Sequence, residues 1–275
     1  MPTVSAAGAW IPRLGFGTWQ LRGEACATMV HEALRAGYTH IDTAQGYGNE
    51  VEVGDGLASS GVARDKIFVT TKVRPEWTGD GDLQRSVDES LRKLRLSEID
   101  LLLLHWPNPE IPLAESIRAL NEVKRRGLVK HIGLSNFTID MLDKAWSLTD
   151  EPFAAQHLEY HPYLAASKII AAIRAHGMAP IAYCPVALGR VIGDPVIQAI
   201  GHAHGRSAAQ IALRWIIQQP DLVAIPKTAK VERLSENLAI FDFVLTDAEM
   251  AQVGALQQPG SRLVNEPQWV PVWDD

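Results

Sequence analysis

The stretch IDLLLLHWPNP, residues 99–109, decides the fold. Apart from Asp100, its first six residues are apolar without alternation, the pattern of a parallel strand buried on both faces. The run ends abruptly in an imidazole, His105, and an indole, Trp106, and two prolines then stop it. An ionisable ring at the end of so apolar a strand needs a surface to face.

Seven other apolar runs punctuate the chain, at residues 14–17, 39–42, 67–72, 131–135, 153–156, 179–183 and 222–226. The stretches between them have helical period. DLQRSVDESLRKLRL sets Leu83, Val87, Leu91 and Leu94 on one stripe. TIDMLDKAW and SAAQIALRWIIQQ open on Thr138 and Ser207, residue types that cap helix N-termini. Lys124, Arg125, Arg126 and Gly127 close another helix, with cations at its negative end and glycine just beyond.

Eight strand–helix units predict a (β/α)8 TIM barrel with extra helices, read as a single domain over residues 1–275. The opening TVSAAGAWIP reads as a short hairpin turning at Ala7 and Gly8. A doubly wound sheet would require a G-x-G-x-x-G turn after its first strand. Here Gly15-Phe16-Gly17 continues into Thr18-Trp19 instead.

Composition narrows the class of protein. Hydrophobic residues are 47% and charged residues 21%, with a formal net charge of −6. That balance argues against nucleic acid or an acidic membrane surface as partner. No apolar run approaches the ~20 residues of a membrane span. The N-terminus lacks the basic and apolar regions of a secretory signal. Two cysteines, Cys26 and Cys184, have no metal-ligand spacing, so a reduced, cytoplasmic, metal-free protein is expected. With no exposed apolar stripe demanding a partner, a monomer is expected.

Active sites of such barrels lie at the C-terminal ends of the strands. Asp42, Lys72 and His105 end three consecutive apolar runs, and Tyr47 follows Asp42 closely. Singly, each has an ordinary structural reading; together they suit proton transfer to a carbonyl oxygen. A phenol titrates near ~10, too high for easy exchange at neutral pH. A neighbouring ammonium would lower that value, a carboxylate would hold the ammonium, and an imidazole would orient the carbonyl. The set holds an acid and no nucleophile of its own, so a hydride donor must come from outside.

In these segments the chain resembles the aldo-keto reductase family, from about Trp10 to the C-terminal PVWDD. GYTHIDTAQGYGNEVEVG, TTKV and LLLHWP carry the resemblance around the catalytic centre, and GLSNF and IPKTAKVERLSEN around the cofactor. The resemblance implies Asp42, Tyr47, Lys72 and His105 as catalytic tetrad, with Tyr47 the general acid. It implies NADPH/NADP+ as cofactor and a small-molecule carbonyl compound as substrate. Ser135, Asn136 and Gln156 would hold the nicotinamide carboxamide, and Tyr183 would stack on its ring. Lys227, Thr228 and Arg233 would take the adenosine 2′-phosphate, a site a guanidinium suits, and Glu236 with Asn237 the adenine. Trp19, Trp77 and Trp106 would line the substrate pocket.

The chain departs from the common pattern after Tyr183. Many members continue Ser-Pro-Leu-Gly, whereas here Cys184-Pro185-Val186-Ala187-Leu188-Gly189-Arg190 follows. That loop and the short tail SRLVNEPQWVPVWDD are similar to the bacterial diketogluconate and methylglyoxal reductase branch. Two alternatives keep the same residues: a Lys72 Schiff-base aldolase, which the carboxylate of Asp42 opposes, and a non-catalytic NADPH-sensing subunit.

Overall fold

Residues 1–274 are described by the structure, a computed structural model; Asp275, the last residue of the expected domain, lies outside the described residues. The chain opens with the expected hairpin. Strands β1 (Thr3–Ala6) and β2 (Ala9–Pro12) pair antiparallel across Ala7 and Gly8, both at positive φ.

Eight parallel strands follow in sequence order: β3 (Phe16–Gly17), β4 (His40–Asp42), β5 (Phe68–Val73), β6 (Ile99–Leu104), β7 (Val129–Ser135), β8 (Phe153–Glu159), β9 (Ala179–Tyr183) and β10 (Val223–Ile225). The residues around β3 meet β10 and close the barrel. Gly15 N donates to Ala224 O at 2.9 Å, Gly17 N to Pro226 O at 2.9 Å, and Ala224 N to Arg13 O at 3.0 Å.

The surrounding helices are α1 (Gly23–Ala36), α2 (Glu50–Ser59), α3 (Asp82–Leu94), α4 (Leu113–Arg125), α5 (Ile139–Trp146), α6 (Ser167–Ala175), α7 (Pro195–His204), α8 (Ala208–Gln218), α9 (Glu232–Leu238) and α10 (Asp247–Gly254). Thr138 and Ser207 cap α5 and α8 as expected, their hydroxyls accepting from Met141 N and Gln210 N. The α3 stripe of Leu83, Val87, Leu91 and Leu94 is buried, and Gly127 follows α4 with a φ of 72°.

The leucine run explains itself in two cores. Leu101 and Leu103 point inward, packing with Ala155, Ile181, Val223 and Ile225 and with Val4, Ala9 and Ile11 of the hairpin, which plugs one end. Leu102 and Leu104 point outward into the layer between strands and helices, among Val87, Leu94, Ile117 and Leu120. Inside the barrel the staves approach closely. A Cβ on Gly133 would stand 2.2 Å from Ala155 O and 2.8 Å from Leu103 Cδ2, so β7 passes β8 only without a side chain there.

One strand runs well past its expected C-terminal end. β8 runs three residues past Gln156, pairing His157, Leu158 and Glu159 with Ile181, Ala182 and Tyr183. His157 and Glu159 of this extension are polar, so a search for apolar runs stops short of them. They stay in the sheet because they turn to the barrel mouth and the tail.

Candidate active site

Asp42 ends β4, Lys72 is the penultimate residue of β5, and His105 directly follows β6. Parallel pairing in register brings all three to one mouth. Tyr47 closes a short turn, Gln45–Tyr47, tied down through its first residue. Gln45 Nε2 donates to Ser86 Oγ and Ser90 Oγ of α3, both at 3.0 Å, and its Oε1 accepts from Arg74 N at 3.0 Å. The four sequence-derived residues therefore converge. Lys72 Nζ donates to Asp42 Oδ1 at 2.7 Å and to Thr43 O at 2.6 Å, and sits 5.1 Å from the centroid of the Tyr47 ring. The Tyr47 and His105 rings meet edge to face at 5.7 Å.

Burial sets the electrostatics. It disfavours the Lys72 ammonium, but the Asp42 carboxylate and Tyr47 hydroxyl outweigh it and hold the lysine above its ordinary value. A charged, carboxylate-bound amine is a poor Schiff-base nucleophile. Desolvation, reinforced by the Lys72 charge, drives His105 well below the usual imidazole range, so it is neutral at neutral pH and donates from one nitrogen only. Burial also raises Tyr47 above an ordinary phenol, with Lys72 pulling the other way. The net lowering expected from the sequence is thus corrected: the lysine moderates the desolvation of the phenol without reversing it.

The cofactor-facing expectations divide. Ser135, Asn136 and Tyr183 line the cavity above the tetrad. They are cross-tied, Tyr183 OH donating to Asn136 Oδ1 at 2.6 Å and Asn136 Nδ2 to Ser135 Oγ at 3.0 Å and His105 O at 2.9 Å. Gln156 does not join them: it is fully buried off the cavity, its Nε2 donating to Phe137 O at 2.8 Å. Successive side chains of a strand point to opposite faces, so the next residue, His157, takes the cavity side. Its Nε2 has no hydrogen-bond partner and lies 3.5 Å from Asp42 Oδ2, itself without one. His157 was missed because the strand was expected to stop at Gln156.

The cavity, about 1040 Å³, extends from the tetrad to Lys227, Thr228, Arg233, Glu236 and Asn237. Lys227, Arg233 and the unforeseen Arg206 form no ion pair among the described residues, and Glu236 accepts from the Ser207 hydroxyl. An arm of unpaired cations running away from a small reactive centre fits the phosphates of a long cofactor such as NADPH. The residues after Tyr183 wall this arm as a tight turn, with Cys184, Ala187, Leu188 and Gly189 all at positive φ. Burial pushes the Cys184 thiol up to about 12, so it is not a thiolate.

At the other end, Trp19 and Trp106 line the mouth as expected. Trp77 is a correction: it is not among the cavity-lining residues but packs against the outer hydrophobic layer, with the Arg74 guanidinium 4.9 Å from its ring centroid. The 3-10 turn Pro75–Trp77 carries its ring away from the mouth. Trp269, Val264 and Glu266 of the tail take up wall positions the sequence did not indicate. Among the described residues no cluster with metal-ligand composition occurs, and no helix is long and apolar enough to cross a membrane.

Residues 13–258 match the model of the Aldo/keto reductase family. The chain is 39% identical to methylglyoxal reductase DkgB of Escherichia coli O157:H7, covering 96% of this chain and 99% of that one. A crystal structure of a putative 2,5-diketo-D-gluconic acid reductase B superposes with a TM-score of 0.98 at 48% identity, covering 100% and 98% of the two chains. A Bombyx mori aldo-keto reductase in complex with NADP superposes at 0.89 with 29% identity, over 97% and 95%.

Proposed function

The chain belongs to the aldo/keto reductase family, and from that premise we propose that it reduces aldehydes or ketones to alcohols with NADPH. The observation that carries this reading is the buried Asp42–Lys72 pair beside Tyr47 and a neutral His105, at the floor of a cavity whose far arm holds unpaired Lys227 and Arg233.

NADPH, when bound, supplies a hydride from its nicotinamide C4 to the carbonyl carbon. Tyr47 donates its phenolic proton to the carbonyl oxygen, which leaves as the alcohol hydroxyl. Lys72, kept charged by Asp42, stabilises the phenolate that remains. His105 directs an N–H at the same oxygen and orients the carbonyl. Ser135, Asn136, Tyr183 and His157 face the nicotinamide end, in place of the set containing Gln156. Lys227, Thr228 and Arg233 hold the 2′-phosphate, with Glu236 and Asn237 at the adenine. Trp19, Trp106 and Trp269 wall the substrate end and keep water from the transfer.

The test is isotopic. NADPH deuterated at the transferred C4 position, incubated with the enzyme and an aldehyde, should give an alcohol with one deuterium on its carbinol carbon. NADPH consumption with the label released to solvent would contradict direct hydride transfer.

A further inference from the structure

The charges around the cavity are unevenly matched, and the mismatch bears on which carbonyl compounds enter. Four carboxylates line it. Asp42 is bound by Lys72, Glu76 holds Arg74 with N–O distances of 3.2 and 3.4 Å, and Glu236 takes the Ser207 hydroxyl. Glu266 alone of the four makes no side-chain hydrogen bond or ion pair among the described residues. The cations divide the other way. Lys227, Arg233 and Arg206 belong to the cofactor arm, Lys72 is buried and tied, and Arg74 is engaged by Glu76 and lies over Trp77. Among the cavity-lining residues the substrate end thus presents an unmatched carboxylate and no free cation; Arg262 of the tail is not one of them and lies over the Trp273 ring, 3.7 Å from its centroid.

Its walls reinforce that sign. Trp19, Trp106 and Trp269 all line the cavity, and an indole face attracts a cation. The tail that brings Glu266 and Trp269 there is fixed. The fully buried Glu159 at the end of β8 accepts from Leu263 N at 2.7 Å and Val264 N at 2.9 Å, and from His161 Nε2 at 2.9 Å.

We infer that this enzyme favours carbonyl substrates carrying a positive charge on an aromatic or bulky apolar body, and disfavours carboxylated ones, with Glu266 as the specificity-determining residue. The inference rests on the carbonyl-reductase reading above.

Three para-substituted benzaldehydes test it: trimethylammonio, the isosteric tert-butyl, and carboxylate. The quantity read is kcat/KM with NADPH, for the wild type and Glu266→Gln. Comparing the ammonio-to-tert-butyl ratio between the two proteins cancels the intrinsic reactivity of each aldehyde. Glu266→Gln should lower that ratio about 2–5-fold, as for an exposed charge pair, and raise the carboxylate's standing against tert-butyl. The change in ratio should shrink in high salt. A ratio unmoved by the substitution, or a wild type that prefers the carboxylate, overturns the charge preference alone. Wild type that consumes NADPH with none of the three overturns the reductase reading, and the inference with it.

Discussion

The proposed proton transfer depends on single contacts around one ammonium. Lys72 has Asp42 and Thr43 O as close partners and Tyr47 beside it, so its charge is fixed where a phenolate would form. The same floor holds His157, 1% exposed, neutral because burial keeps it well below the ordinary imidazole range, with Nε2 free. His157→Ala should weaken NADPH binding about 2–10-fold, the range of one hydrogen bond. Gln156→Ala should leave binding unchanged and cost roughly 1–3 kcal/mol of stability, since it leaves Phe137 O unsatisfied. Quenching of tryptophan fluorescence by NADPH and urea titration separate the two. A loss of binding confined to Gln156→Ala would reverse the assignment. Asp42, Tyr47, Lys72 and His105 were legible in the sequence because each stands at or just past a strand end. Gln156 and His157 were not, because neighbouring strand residues face opposite sides and a strand taken to stop at Gln156, three residues short of its end, leaves out the one that faces the cavity.

Among the elements, those built from local signals were readable in advance: the Thr138 and Ser207 caps, the α3 stripe, the hairpin at Ala7-Gly8. Those whose order comes from distant partners were not. The tail carries no periodicity, and its path is set by Glu159, more than a hundred residues earlier, accepting two of its backbone amides. Glu159→Gln removes the charge and one acceptor from that clamp. It should raise KM for bulky aromatic aldehydes several-fold while leaving kcat for a two- or three-carbon aldehyde, and NADPH affinity, near wild type. Steady-state kinetics with both substrate sizes check this. Equal loss on both would mean that Glu159 supports the barrel rather than the substrate wall. Trp77 shows the converse failure: its position after a strand end was correctly read, but the turn that follows Arg74 directs the ring outward.

At the scale of the molecule, the barrel was legible because eight apolar runs alternate with amphipathic stretches, and the run at Ile99–Leu104 feeds one core from each face. The polar content of the interior was hidden. His40 and His157 are fully buried and His105 half-buried, and desolvation holds all three neutral, His40 down to about 4 from 6.5. A group whose folded pKa is depressed leaves the unfolded chain binding the extra proton between the two values, so stability falls as pH drops from about 6.5 toward 4. His40 alone contributes about 3 kcal/mol over that window, at ~1.4 kcal/mol per pH unit. Asp42 and Glu50, raised by burial, act oppositely at the acid end, so the loss should be steepest between about pH 6.5 and 5. Urea titrations across this range, with His40→Gln for comparison, should show a shallower slope for the variant. Parallel slopes would place the acid sensitivity elsewhere.

The central claim is that the assembled site reduces a carbonyl through Tyr47, and Tyr47→Phe addresses it most directly. The substitution removes one hydroxyl and keeps the ring that meets His105. With a simple aldehyde, kcat should fall about 10²–10⁴-fold, the contribution of a positioned general acid, while the Kd for NADPH stays within about twofold, since the hydroxyl is assigned to the substrate. Full turnover by Tyr47→Phe with normal NADPH binding would contradict the account.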